Sequence, residues 1–309
     1  MSPAAVWEDK VYRIAKPKGP SSFAVVRALR KATDVSKAGH AGSLDPLGEG
    51  LLLICTGKAT RAVEYLMDRE KEYEFDLTLG VETSTLDGEG EVVRRVECSG
   101  LPREEVERCL RSFVGGYLQE PPAYSALKRG GRRLYRLARA GRSPQVEPRP
   151  VTISALALID MRGPLLTLSV RCSRGMYVRA LARDIAAGLG LPGHVSRLVR
   201  KAIGDFRLEH AFPAARLFRG EVDGLEGMPL VHALAFLPAL VLGSEGRRGL
   251  LRGVIPPWDQ VLEEVGEVVG ARVIRLVDSE GRLIAVGTRS SASARAGAVV
   301  DKYRLLVRA

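Results

Sequence analysis

An aspartate, Asp45, stands in the stretch Gly39-His40-Ala41-Gly42-Ser43-Leu44-Asp45-Pro46-Leu47-Gly48-Glu49-Gly50-Leu51, with glycines on both sides and a proline directly after it. Gly39 and Gly42 permit backbone angles closed to other residues, and Pro46 fixes its own φ while biasing Asp45 towards an extended conformation. Gly48 and Gly50 allow a sharp bend before Leu51-Leu52-Leu53-Ile54, which reads as a short buried strand. The carboxylate is therefore expected on a stiff loop at a strand's mouth, where it could act as a nucleophile. Asp-Pro in a glycine-rich loop is more often a plain turn, so the loop alone does not decide.

Other chemistries find little support. No glycine-rich dinucleotide loop follows a strand, and there is no Walker loop. The histidines at 40, 194, 210 and 232 and the cysteines at 55, 98, 109 and 172 are too scattered for a metal site or a disulfide framework. No cofactor and no metal are expected. The chain has 309 residues, 46% of them hydrophobic, and a formal charge of +11 with a pI near 9.7. Basic surface attracts polyanions at long range, so nucleic acid is the favoured partner class. No apolar run approaches a membrane span, and Met1 to Lys10 lacks the apolar core of a signal peptide, which places the chain in the cytoplasm.

The length suggests two domains. Val11 to Ala15 reads as a strand, and Ser21 or Ser22 caps a helix with Val25, Val26, Ala28 and Leu29 at helical spacing. A second helix is expected over about Lys58 to Met67. Lys71 to Leu79 alternates, with Tyr73, Phe75, Leu77 and Leu79 on one face, as a half-buried strand does. Glu82 to Gly90 reads as a hairpin loop leading to a strand at about Glu91 to Glu97, and Leu101 to Val114 as an amphipathic helix. Val151 to Cys172 reads as a hairpin turning at Arg162-Gly163-Pro164. Val178 to Gly188 reads as a helix with Arg179 in its first turn, and Val195 to Ile203 as a strand on which Arg197, Arg200 and Lys201 add basic character. Residues from about Ala211 to Pro238 look like a connector. Beyond it, strands at Val268 to Val277 and Arg282 to Thr288 suggest a small β-rich domain.

Five motifs stand in order: Lys16-Pro17-Lys18-Gly19-Pro20-Ser21-Ser22, the Asp45 loop, Lys71-Glu72-Tyr73, Pro121-Pro122-Ala123-Tyr124-Ser125-Ala126-Leu127-Lys128, and Cys172-Ser173-Arg174-Gly175-Met176-Tyr177-Val178-Arg179. In that order and at those separations they resemble the bacterial tRNA pseudouridine synthases of the B type, from about Lys10 to about Phe206. The resemblance implies an α+β pseudouridine synthase fold, a mixed and largely antiparallel sheet flanked by helices, over residues 1–238. A PUA-like RNA-binding domain would follow at 239–309. It implies isomerisation of uridine 55 in the T-arm loop of tRNA, with Asp45, Tyr73 and Arg179 as the catalytic residues. Arg179 would pair with Asp45 through a forked contact, keeping the acid ionised, because burial alone disfavours the charged form of a carboxylate. Tyr73 would stack on the extracted base, and His40 would enter the space it leaves.

Substrate contacts are likewise implied for Lys16, Tyr177 and Leu198, and for Lys128, Arg132 and Tyr135 in a basic insertion at about 116–150. Between Lys128 and Pro150 that insertion carries eight basic residues and one acid, Glu147. Interleaved aromatics and one-signed charge suit looped RNA. Two departures from the family pattern stand out: Ser43 in place of threonine, and Glu49, which is expected to point away from Asp45. The partner implied is tRNA, bound by a monomer without an obligate protein partner. Two alternatives stand beside this: an RNA-binding or tRNA-folding factor that uses the same basic cleft without essential catalysis, and the relative that works with a guide RNA, which lacks the long basic insertion found here at Lys128 to Pro150.

Overall fold

A computed structural model describes residues 3–98, 100–122, 128–129, 132–133, 147–289 and 299–306. Lys10–Lys16 (β1) opens the main sheet and is followed by the helix Ser22–Thr33 (α1). Ser21 caps that helix through a hydrogen bond from the Ala24 amide, and Val25, Val26, Ala28 and Leu29 are buried, as their spacing predicts. Ala38–His40 (β2) pairs with Glu49–Thr56 (β3), and the Asp45 loop lies between them. Between 57 and 68 the expected helix is split. Gly57–Ala62 is 3-10 and only Val63–Asp68 (α2) is α-helical.

Lys71–Leu79 (β4) has the bounds read from its alternation. Val81–Thr83 (β5) and Val92–Arg95 (β6) form the expected hairpin, and Arg103–Arg111 (α3) buries Val106 and Leu110. Gly115–Gln119 (β7) was not legible, because a Gly-Gly start and a single apolar position give no alternation to read. In the basic insertion, Lys128–Arg129 (β8) and Arg132–Arg133 (β9) pair in a two-stranded ladder. Tyr135 lies outside the described residues, as do the side chains of Lys128 and Arg132. Arg149–Arg162 (β10) and Leu165–Cys172 (β11) make the second hairpin, ahead of Val178–Gly188 (α4) and Gly193–Ile203 (β12).

From one edge the main sheet runs Phe212–Pro213, β1, β3, β12, β4, β11, β10, β7. The β1 to Phe212–Pro213 and β3 to β12 pairings are parallel and the others along this path antiparallel, so the sheet is mixed and largely antiparallel. The parallel contact joins Gly50 to Arg200 and brings the loop-bearing strand against β12 at mid-sheet. One face of β4 and β12 packs under α4 through Phe75, Leu77, Val195, Leu181 and Ile185. Burying such side chains contributes roughly 1.5–3 kcal/mol each.

A second sheet of five strands holds Ala239–Leu242, Val261–Val265, Val273–Asp278, Leu283–Thr288 and Lys302–Leu305. It is the small β-rich part expected after the connector, with three more strands and the helix Ser244–Leu251 than its sequence discloses. Arg304 pairs with Glu64 at 2.7 Å, and the Arg61 guanidinium donates to the Leu305 carbonyl at 2.7 Å, tying this sheet to the α2 region. Among the described residues no helix is long and apolar enough to cross a membrane.

Candidate active site

The Asp45 loop is held by main-chain contacts on every side. Gly42 lies at φ +100° and Gly50 at φ +106°, both in the region that L side chains rarely adopt. A Cβ on Gly50 would stand 2.4 Å from the Arg200 carbonyl oxygen, so only glycine lets β3 approach β12 this closely. Gly39, read with Gly42 as free to take angles closed to other residues, does not have a positive φ. Buried Ser22 clasps Leu44, its hydroxyl donating to the Leu44 carbonyl at 2.9 Å and accepting from the Leu44 amide at 2.8 Å. The Gly19 amide donates to the Pro46 carbonyl at 2.8 Å.

Lys16 is 2% exposed and its ammonium donates to the carbonyls of Pro17, Pro46 and Gly48. Burial pulls its pKa down to about 8, against the opposing pull of the nearby Asp45 carboxylate. With its donors directed at these carbonyls, Lys16 braces the loop.

Arg179, in the first turn of α4, reaches across to this loop with its side chain only 6% exposed. Its Nε donates to Oδ2 of Asp45 at 2.9 Å, and Nη2 forms an ion pair with the same oxygen at 2.7 Å. The expected fork is thus closed on a single oxygen. Oδ1 accepts no hydrogen bond from the described residues, and the Asp45 side chain is 42% exposed. The carboxylate is anchored through Oδ2 and its side chain stays partly open to solvent.

Nη1 of Arg179 donates to the Thr85 carbonyl at 2.8 Å, and buried Asp87 places Oδ2 3.7 Å from Nε. Asp87 is itself fixed, since Oδ1 accepts from the Thr85 hydroxyl and from the Glu89 amide. Leu86, at φ +61°, allows the tight turn that brings these residues in, and its carbonyl and the Gly88 amide pair with Val195 on β12. The loop after β5 thus supplies a second acid to the arginine, a role that its turn-like sequence did not announce.

Tyr73 is the cross-strand neighbour of Arg200 on β12, while Leu198 faces Phe75. Burial raises the Tyr73 phenol, the Asp45 carboxylate adds to that, and the Arg200 guanidinium opposes it. Leu198 lines the loop, lying 3.5 Å from where a Gly48 Cβ would be. His40 ends β2, and burial, then the charge of Arg200, lower its pKa. Its Nδ1 is buried without a hydrogen-bond partner among the described residues, an unsatisfied group of the kind that calls for an explanation. Tyr177 precedes α4 with its amide and carbonyl both bonded to the Gln119 side chain. Glu49 makes no ion pair with a described residue, and no contact joins it to Asp45.

Arg200, which in sequence only adds basic character to its strand, has a structural place of its own. It is 1% exposed, and its guanidinium donates to the carbonyls of Leu51 at 2.7 Å, Ser43 at 3.3 Å and Gly42 at 3.0 Å. The signal was its place two residues after Leu198 and two before Ala202, between apolar side chains of one strand face.

Comparison with known proteins agrees with this geometry. The family model described as TruB family pseudouridylate synthase (N terminal domain) matches residues 30–178. The tRNA pseudouridine synthase B of Stutzerimonas stutzeri is 39% identical over 278 residues, covering 88% of each chain. That of Symbiobacterium thermophilum is 41% identical over 256 residues, covering 82% of this chain and 85% of its own. In the crystal structure of a Cbf5-Nop10-Gar1 complex, a matching chain has a TM-score of 0.77 at 22% identity, covering all of this chain and 88% of that one. The fold likeness spans both sheets, the sequence likeness spans the Asp45 loop, β4 and α4, and the chain belongs to the TruB family of pseudouridylate synthases.

Proposed function

We propose that the chain isomerises uridine to pseudouridine at position 55 in the T-arm loop of tRNA, acting through Asp45 without a cofactor. The reaction breaks the bond from C1′ to N1 of the base and forms one from C1′ to C5. C5 loses a proton and N1 gains one, so no electrons are exchanged with a partner. The carrying observation is a partly exposed aspartate anchored through Oδ2 by buried Arg179. An anchored carboxylate of this kind suits attack on the nucleotide or stabilisation of a cationic sugar.

In this reading Arg179 keeps the carboxylate charged and aimed, and Asp87 aims Arg179. Tyr73 stacks on the base, Leu198 packs at the pocket wall, and Nδ1 of His40 finds a partner when the nucleotide turns out of its stack. Residues 1–238 form the catalytic domain. The basic insertion, with Lys128, Arg132 and Tyr135, and the C-terminal sheet at 239–309, read as PUA-like, hold the T-arm. The enzyme acts as a monomer, in the cytoplasm, without guide RNA or protein partner.

The test is to incubate the purified chain with an unmodified tRNA transcript and with a bare T-arm hairpin, and to map pseudouridine. Modification of uridine 55 in both is the expected result. Modification only with a guide RNA present, or binding without any product, contradicts the proposal.

A further inference from the structure

Arg200 is the largest side chain with almost no exposure, and no carboxylate among the described residues lies within ion-pair distance of it. An unpaired buried cation is costly, and hydrophobic residues fill such places more cheaply. Its contacts show what it does there. Three of its five N–H groups bind carbonyls on both sides of Asp45, those of Gly42 and Ser43 before the acid and of Leu51 after it. Tyr73 is its direct cross-strand neighbour, the two side chains standing on the same face of β4 and β12.

We propose that Arg200 is a positioning residue for the isomerisation, joining the Asp45 loop and the Tyr73 ring into one rigid unit so that carboxylate and phenol meet the same nucleotide in fixed relation. The inference rests on the function proposed above and adds a residue to its machinery. Lysine cannot take over: one ammonium on a flexible stem does not reach three diverging carbonyls together. The charge also sits among His40, Lys16 and Lys71, each lowered in pKa partly by it. Arg200 thus places a fixed positive potential beneath the site without touching solvent.

The experiment is a double-mutant cycle on single-turnover pseudouridine formation in a tRNA transcript, with Arg200→Lys, Tyr73→Phe and the double variant, and tRNA binding measured alongside. Misplacing catalytic groups by about 1 Å costs on the order of 100-fold, so Arg200→Lys is expected to lose about that in rate, with tRNA affinity little changed. In the Tyr73→Phe background the same change is expected to cost clearly less, because the two residues act together. Losses that multiply to within about twofold mean independent sites and overturn the inference, as does a fully active Arg200→Lys.

If Arg200→Lys does not fold, Tyr73→Phe alone serves, read by hydrogen exchange of the 42–51 amides. Faster exchange is expected, and unchanged exchange overturns the inference. A wild-type chain that forms no pseudouridine overturns both this inference and the function beneath it, whereas an active wild type with independent losses overturns this inference alone.

Discussion

Two aspartates in this protein sit in tight turns gripped by arginine, and they differ in one respect that separates chemistry from structure. Asp278, at the turn between two strands of the C-terminal sheet, has a side chain 4% exposed. Its Oδ1 accepts from the amides of Glu280 and Arg282, and its Oδ2 from Nε of Arg282, four residues away. Both oxygens are satisfied within the turn, and Arg247 on the neighbouring helix adds only a longer ion pair to Oδ2, at 3.5 Å. Asp45 is 42% exposed, is held by the described residues at one oxygen only, and its arginine lies 134 residues away on another element. A saturated acid stabilises a turn. A half-saturated one, aimed by a distant cation, is equipped to meet something else.

The widest gap between the two turns is expected from their arginines. Arg179→Lys should lower the single-turnover rate by roughly 100- to 1000-fold, since a point charge cannot hold Oδ2 and the Thr85 carbonyl at once. Arg282→Lys should leave the rate unchanged. Equal losses in the two variants, or none in the first, would break the distinction.

The loop's brace gives a pH signature. Lys16 titrates at about 8 in the folded chain against an ordinary value of 10.5. Between those values the unfolded chain holds the proton and the folded chain does not, so stability rises with pH across that window, by up to about 3 kcal/mol. Buried Lys71, also lowered to about 8, contributes in the same direction. Denaturant melts from pH 7.5 to 10.5 should show the rise, and Lys16→Met should make it shallower. An unaltered slope in that variant contradicts the assignment.

Ser22→Ala leaves the Leu44 carbonyl and amide without their buried partner, and should cost about 2 kcal/mol of stability. It should also slow the reaction through a loosened loop. A fall in stability with the rate untouched would detach loop rigidity from catalysis.

The smallest effect belongs to the saturated turn. Burial pushes the Asp278 carboxyl up, but hydrogen bonds from the Arg282 main chain and side chain and from the Glu280 amide bring it below its ordinary value. A lowered acid contributes stability that is present above about pH 4 and lost as pH falls through its folded value. Asp278→Asn should therefore cost about 1 kcal/mol at neutral pH, flatten the acid limb, and leave the rate alone. A loss of rate would place this turn in the catalytic machinery.

Much of the scaffold was legible in the sequence, because strong periodicity survives tertiary context. β4 and α4 were read to the residue at both ends, and α1 with its buried set and its cap. The strands missed at Ala239–Leu242, Val261–Val265 and Lys302–Leu305 are short, and two of the three carry charge at exposed edge positions. The Asp45 loop announced itself by composition, whereas its meeting with Arg179 followed only from the family resemblance. Asp87 and Arg200 were hidden for opposite reasons. The first lies in an ordinary turn that tertiary pairing with β12 carries to the site, and the second was masked by the basic neighbours Arg197 and Lys201. Side chains that act through main-chain carbonyls leave no spacing motif.

The most direct measurement is single-turnover pseudouridine formation in a T-arm hairpin by the wild-type chain and by Asp45→Asn, which keeps the size of the side chain and removes its charge. Loss of the reaction by about 10⁴-fold or more in the variant, with folding and RNA binding retained, is the predicted result. An Asp45→Asn protein that still converts the uridine at a comparable rate would contradict the account.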